Sequence, residues 1–521
     1  MRDARQPNVL LIMTDQQRAD HTGFGGNQIL QTPTLDELAA RSMVFDRAHV
    51  ANPLCQPNRC SILTMRYPSV HGTRHNGIAL DWRANTFVRR LREDGYRTGL
   101  VGKGHFQNFG LYPDIARQQF DFSFDTQAVD DGMPHGWDHY EHVERHLDED
   151  VEFPDDYYGF DHVEIVCSHG DECSGHYAGW LRQQGYEWRE LTGPDNAEWV
   201  FDGWIQVRHP EMPVELYPTT YVTERSIAWI SERAVDEQPW FLQCSYPDPH
   251  HPFTPPGEYF GRYDPADVEL PATFWDPHTR SPEHLQRITS ERGQLSGIPM
   301  LQSPDERQFR HAAAAEYGAI ALIDDGIAAV LNELERTGQA GNTVVIFTSD
   351  HGDMFGDHGL ILKMYAHYDG CLRVPLTIAG PGIEPGRTQA LVNSLDLGET
   401  ILELCGVDSF YGSQGLSMSP MLRDPAAQTR EMLLIEEDQI RDGLRAGVQP
   451  RMRTVLTPEA RITRYQNLDY GELYDMSADP DELENRWDDG AAAGLRQDMS
   501  DALAEMMIAC ANPSFRPGYI A

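Results

Sequence analysis

Short runs of consecutive apolar residues, each ending abruptly in polar ones, alternate along the chain with amphipathic stretches of helical period. The run Val9 to Met13 breaks into Thr14 and Asp15. A helix is predicted through Phe87 and Leu91, started by Asn85 or Thr86 and stopped by Gly95, with a strand over Thr98 to Val101 behind it. The order recurs twice. A helix from about Tyr221 to Ala234 precedes a strand at Trp240 to Cys244, and a helix through Ile320 to Leu334 precedes the β-branched strand Thr343 to Thr348. Helices alternating with strands predict an α/β fold, a large mixed and mostly parallel sheet sandwiched by helices.

The residues just beyond each strand carry the chemistry. Asp15 comes after the first, Lys103 and His105 after the second, His250 after the third, and Asp350 and His351 after the fourth. In open α/β sheets ligands bind beyond the carboxyl ends of the strands, so these residues are expected to converge there. Carboxylates, imidazoles and amines at one edge suggest a metal site for an anionic substrate. The stretch from about 110 to 202 is crowded with Asp, Glu, His, Trp and Tyr and has weak periodicity. It is predicted to form long loops and short helices that cover the sheet edge as a specificity lid. Beyond residue 424 the pattern changes to short polar strands, including Arg461 to Tyr465 and Glu472 to Tyr474. The expected division is therefore a catalytic α/β domain over 1–424 and a smaller antiparallel C-terminal domain over 425–521.

Composition narrows the partners. The formal net charge of -39 over 521 residues argues against a nucleic acid or an anionic membrane, because every approach would be repelled. No segment approaches the roughly 20 apolar residues of a membrane span, and the first apolar run lacks a cleavage site behind it. A soluble cytoplasmic protein is expected. Eight cysteines are too sparse for a disulfide framework, so most should be buried thiols.

The most telling segment is Cys55-Gln56-Pro57-Asn58-Arg59, followed directly by the helix-like run Cys60 to Met65. Pro57 suits a first helical turn, which would set Cys55 at the positive end of the helix. Taken alone, the pentapeptide fits a buried structural thiol about as well as a reactive one. Its wider context decides. Cys55-x-Pro57-x-Arg59 resembles the signature of the type I sulfatases of the alkaline phosphatase superfamily. The other segments follow that family's order over nearly the full length: Asn8 to Gln16, Thr32 to Asp36, Gly102-Lys103-Gly104-His105, Pro249-His250-His251-Pro252, Ser349-Asp350-His351-Gly352 with Lys363, and Glu472 to Asp475 with Asp479-Pro480 and Asn485.

The resemblance implies an alkaline phosphatase-like fold and hydrolysis of sulfate esters, as in arylsulfatases and choline sulfatases. It implies that a maturation enzyme converts Cys55 to formylglycine, whose hydrated diol attacks sulfur and whose second hydroxyl then expels sulfate. One divalent metal ion, manganese or calcium, would be held by Asp15, Gln16, residue 55, Asp350 and His351. Gln16 stands where many relatives have a second Asp, and this less anionic set tilts the metal toward manganese. Arg59, Lys103 and Lys363 would neutralise the sulfuryl oxygens, His105 and Asn76 would hold the diol or substrate oxygens, and His250 would protonate the leaving alcohol. His251 is expected to point away in an extended backbone, and Asp353 and Asp357 to be solvated loop acids. Cys167, His169, Cys173 and His176 could also be read as zinc ligands, but their spacing matches no established finger or ribbon. The alternative activity is hydrolysis of phosphonate monoesters or phosphodiesters by the same machinery. The Lys103/His105 pair favours sulfate, because phosphonate-hydrolysing relatives lack it. A homo-oligomer is expected, as in relatives with the Asp-His metal pair.

Overall fold

The computed structural model describes residues 6–111, 132–236, 238–295, 301–363, 365–438, 451–511 and 514. Its centre is a nine-stranded sheet. In chain order the strands are β1 (Asn8–Thr14), β2 (Met43–Phe45), β3 (Arg97–Lys103), β4 (His162–Cys167), β5 (Ser174–Gly175), β6 (Trp240–Ser245), β7 (Thr343–Ser349), β8 (Leu376–Ala379) and β9 (Gly386–Thr388). Across the sheet they run β9-β2-β8-β7-β1-β6-β3-β4-β5. The five neighbours β7, β1, β6, β3 and β4 are parallel, while β8 and β5 pair antiparallel at either side.

β1 is apolar at five consecutive positions because both of its faces are covered. Val9, Leu11 and Met13 point to one side, where they meet Cys60, Leu63, Phe87, Leu91, Leu397 and Ile401. Leu10 and Ile12 point to the other, where they meet Leu35, Leu38, Val222, Trp229, Ile323 and Ile327. Three layers result, with helices α1 (Cys55–Thr64) and α2 (Phe87–Glu93) on the first face and α3 (Pro218–Glu232) and α4 (Glu306–Arg336) on the second. Full burial of each such aliphatic side chain is worth about 1.5–3 kcal/mol. α2 begins where expected, Thr86 Oγ1 accepting from Arg89 N at 3.0 Å. α4 begins well before Ile320, because Asp305 and Gln308 form a capping box and Ala312 to Ala315 carry the helix forward in a close-packed core.

The 110–202 segment does more than cover the sheet. Residues 112–131 lie outside the described residues, but His162–Cys167 is β4, an inner strand paired with β3 from Gly99↔His162 to Lys103↔Val166. The charged residues around it hide its period in the sequence. C-terminal to the sheet, four strands (Leu433–Asp438, Arg451–Leu456, Ala460–Tyr465 and Gly471–Asp475) form the expected separate antiparallel sheet in sequential order. The helix Ala493–Ala509 packs on it through Met499 and Leu503. All eight cysteines are buried free thiols. Among the described residues, no helix is long and apolar enough to cross a membrane.

Candidate active site

The carboxyl ends of β1, β3, β4, β6 and β7 deliver the residues beyond them to one place, and α1 points its first residue into it. Cys55 opens α1 behind the extended Leu54. Its own turn is held from outside, with Gln56 N donating to Asn76 Oδ1 at 3.2 Å and Ala51 N donating to Asn58 Oδ1 at 3.0 Å. At the end of β3, Gly102 has φ +102°, and a Cβ there would lie 1.9 Å from the Ser245 carbonyl oxygen. Only glycine lets the chain pass this close to β6 and turn Lys103 inward.

Two overlapping groups of side chains could hold a metal, Asp15 and Cys55 with His169 and His250, and the same two with Asp350 and His351. A carboxylate oxygen of Asp15, one of Asp350, His351 Nε2 and Cys55 Sγ lie within 4.8 Å of one another, all buried. His351 Nδ1 donates to the Gly352 carbonyl at 2.7 Å, which leaves Nε2 turned toward Cys55 Sγ at 3.3 Å and the Oδ1 atoms of Asp15 and Asp350 at 3.7 and 3.6 Å. Such a backbone partner on the outer nitrogen is what fixes a ligating imidazole. Asp15 Oδ1 is buried with no hydrogen-bond partner. An unpartnered buried carboxylate oxygen is costly, and a divalent cation among these donors would satisfy it. The residues therefore fit a metal ion.

Around this group stand three cations. Lys103 Nζ bonds Asp15 Oδ2 and reaches His169 Nε2 at 2.6 Å. Lys363 Nζ donates to Gln16 Oε1 and to His250 Nε2, both at 2.7 Å. Burial alone would raise the Asp15 carboxyl, but Lys103 and Arg59 outweigh it and hold it well below the usual carboxylate range. Burial would likewise raise the Cys55 thiol, and Lys363 and Lys103 reverse this, so the thiol is pulled below its ordinary value. In the matured protein an oxygen of formylglycine would stand where this sulfur stands. His250 Nδ1 donates to the His251 carbonyl, so Nε2 is the acceptor for Lys363. Burial first, then Lys363, keep that imidazole neutral well below its ordinary range.

Arg59 differs from expectation. Its Nε donates to Asp350 Oδ2 at 2.6 Å, its Nη2 to Asp15 Oδ2 at 3.2 Å, and its Nη1 to the Lys103 carbonyl and Ser245 Oγ. All three guanidinium nitrogens are therefore taken by protein acceptors, two of them by the carboxylates of the candidate metal group. Gln16, at a backbone φ of +66°, is engaged by Lys363 through its oxygen and by Asp353 through its amide at 2.7 Å. Asp353 is fully buried and also accepts from Phe355 N and Leu362 N, while Asp357 pairs with Arg18 at 2.8 Å. Neither is a solvated loop acid, because the loop after β7 folds back over the site.

His251 does not point away. Its ring stacks on His250 with centroids 4.0 Å apart, and its Nδ1 lies 3.3 Å from Gln16 Nε2, because the chain runs through a turn here rather than an extended strand. His105 stacks flat on Phe109 at 3.9 Å and keeps a buried Nδ1 without a partner, while its backbone N–H donates to Glu141. The sequence does not single out Glu141, and it singles out His169 only as a possible zinc ligand. Glu141 is fully buried, accepting from His105 N, Phe106 N and Tyr157. His169 lies with its ring 3.6 Å from His250. The four residues read as possible zinc ligands part company. His169 faces this site, and His176 accepts from Ile165 N and is bonded to the Val151 carbonyl, which occupies both ring nitrogens.

The sequence and the fold have counterparts among known proteins. A family model described as Sulfatase matches residues 7–407, and one described as N-sulphoglucosamine sulphohydrolase, C-terminal, matches residues 356–509. An arylsulfatase of Clostridium perfringens is 27% identical over 92% of this chain and 90% of its own. The multifunctional alkaline phosphatase superfamily protein PehA of Trinickia caryophylli is 28% identical over 94% and 93%. The structure of a phosphonate monoester hydrolase from Silicibacter pomeroyi superimposes with a TM-score of 0.75 at 26% identity, covering 97% of this chain and 95% of that one. With the matched model spanning every strand of the central sheet and each residue gathered at its edge, the chain belongs to the sulfatase family.

Proposed function

We propose that the protein hydrolyses sulfate monoesters, aryl sulfates foremost, with residue 55 matured to formylglycine and a single divalent ion, manganese in preference to calcium, on Asp15, Asp350, His351 and residue 55. Family membership implies the ion and the modification, which together supply an oxygen nucleophile of lowered pKa in place of the thiol. The observation that carries the reading is the unpartnered Asp15 Oδ1 beside Asp350, His351 and Cys55, with Lys103 and Lys363 flanking the same atoms. The donor set of two carboxylates and one imidazole suits manganese.

The chain's own residues then divide the work. Lys103 and Lys363 bind the sulfuryl oxygens, each charge-assisted bond contributing about 1.5–3 kcal/mol. Arg59 keeps Asp15 and Asp350 ionised and in place. His250 gives its Nε2 proton to the leaving oxygen, the negative charge of the bound ester offsetting the Lys363 charge that otherwise keeps that nitrogen bare. Asn76 and His105 hold oxygens at the α1 end of the site. Because Cys55 is 1% exposed, the maturation enzyme must act on the extended segment before it folds. Likeness to a phosphonate monoester hydrolase and to PehA supports phosphonate monoesters and phosphodiesters as further substrates, since charge and geometry at the reacting centre are similar. Purified matured protein should be assayed on aryl sulfates, choline sulfate, sugar sulfates and phosphonate monoesters. Turnover of a phosphonate ester with none of any sulfate would reverse the order of the two readings.

A further inference from the structure

His169 lies just beyond β4, the strand that the local composition conceals, and it takes no part in the division of work among the family-motif residues. Its Nε2 lies 2.6 Å from Lys103 Nζ. An ammonium only donates, so in this bond Nε2 is the acceptor and the ring is the neutral tautomer protonated at Nδ1. Lys103 bonds Asp15 Oδ2 with another of its hydrogens. Two of the three ammonium directions are thereby taken by protein acceptors, Nζ also lies 5.6 Å from the centre of the Phe109 ring, and among the described residues no further hydrogen-bond acceptor meets the third N–H. The His169 ring is itself clamped, stacked at 3.6 Å and 13° on His250 and met edge-on by Phe109 at 6.1 Å. One of its ring nitrogens lies within 4.8 Å of ligand atoms of Asp15, Cys55 and His250, which are as close to one another.

We propose that His169 is a positioning residue that acts through Lys103, aiming the free N–H of the ammonium at the oxygen of the group undergoing transfer. A flexible four-carbon side chain carrying a point charge has no preferred direction of its own, and Asp15 alone leaves Nζ free to swing about one bond. The second acceptor removes that freedom. Misplacing a binding group by an ångström can cost on the order of 100-fold in rate.

This inference rests on the sulfuric-ester reading, and a double-mutant cycle separates the two. His169→Ala, Lys103→Ala and the double variant are compared with the matured, metal-loaded wild type. Two quantities are read: kcat/KM for 4-nitrophenyl sulfate, and affinity for inorganic sulfate by calorimetry. His169→Ala should lower kcat/KM about 10- to 100-fold, mainly in kcat, with unchanged metal content and circular dichroism. The double variant should be no worse than Lys103→Ala alone. His169→Gln, which keeps an acceptor, should recover part of the loss and also guards against a packing defect in the alanine variant. Nitrophenyl and alkyl esters should suffer alike, because no proton donor is lost. Additive losses, or no recovery with Gln, overturn the role through Lys103. If the wild type binds sulfate but turns over no sulfate ester, the substrate reading fails, and the cycle in sulfate affinity still judges His169. A wild type that binds no sulfate overturns both.

Discussion

Replacing Arg59 by Met keeps much of the side chain's bulk and removes its charge where two buried carboxylates meet. Nε and Nη2 lie 2.6 and 3.2 Å from Asp350 and Asp15, and none of the three side chains is exposed to solvent. Breaking a buried ion pair by removing one partner costs about 3–5 kcal/mol. Lys103 still faces Asp15 here, so the lower end, about 3 kcal/mol, is expected for the metal-free protein at neutral pH. The pH dependence comes from Asp15, whose folded pKa is depressed. Such a group contributes stability that is present above the unfolded value near 4 and is lost as pH falls through the folded one. Without Arg59 that contribution shrinks, so the difference between wild type and variant should be constant above about pH 4 and fade only as pH falls toward the depressed folded value. A bound divalent ion supplies the missing positive charge, so the variant should gain more from added metal than the wild type does. Thermal midpoints of the unmatured thiol form at pH 7.5, with chelator and with manganese, would read the charge loss and its compensation without any turnover. An unchanged midpoint in chelator, or a gain from manganese no larger in the variant than in the wild type, would refute the placement of Arg59 beside the carboxylates.

The same geometry fixes other outcomes. Asp350→Ala removes one of two carboxylates and leaves Arg59 without its 2.6 Å partner, so elemental analysis should find no bound metal and assays no turnover; full occupancy would sink the ligand assignment. His250→Ala should slow alkyl sulfates far more than nitrophenyl sulfate, which barely needs the proton, and equal losses would make His250 a binding group. Protein from a host without the maturation enzyme should fold but show little activity, and Cys55→Ser should be almost inactive because a serine ester lacks the second hydroxyl. Mass spectrometry of the peptide spanning residue 55 decides this, and fully active enzyme with an intact thiol would defeat the mechanism.

The residues beyond the strands were legible because strand ends announce themselves. An apolar run followed within a few residues by Asp15, Lys103, His250 or Asp350 needs only the rule that parallel sheets present ligands at their carboxyl edge. The core strands were legible for the same reason, and their observed limits differ by a residue or two from the predicted ones. β4 was not, since His162 and Glu164 interrupt its apolar period and its pairing with β3 is a contact across some sixty residues. With β4 hidden, His169 could only be read as part of a local Cys/His cluster. Asp353 and Arg59 failed differently. Their residue types and positions were plain, but whether a charge faces solvent, substrate or another buried charge depends on which loops close over it. Glu141 is of this kind as well, a lone acid in a polar stretch until the His105 backbone folds onto it.

The sign of the site's charge is the last link between composition and chemistry. The chain is strongly acidic, yet Arg59, Lys103 and Lys363 outnumber Asp15 and Asp350 where they meet, and a divalent ion would widen the excess. At physiological ionic strength charges are screened beyond roughly 8 Å, so the acidic surface reaches little of this edge, whereas the buried cations act at hydrogen-bond distance in a medium of lower dielectric. The surface charge thus bears on which large partners can approach, and the buried charge on which small group can stay. Before an ester is bound, neutral His250 and His169 add no charge of their own to this balance and serve as acceptors for the two lysines. At the point where residue 55 opens α1, a tetrahedral oxyanion would meet Lys103 and Lys363 at short range, which is where the proposed in-line attack on it would begin.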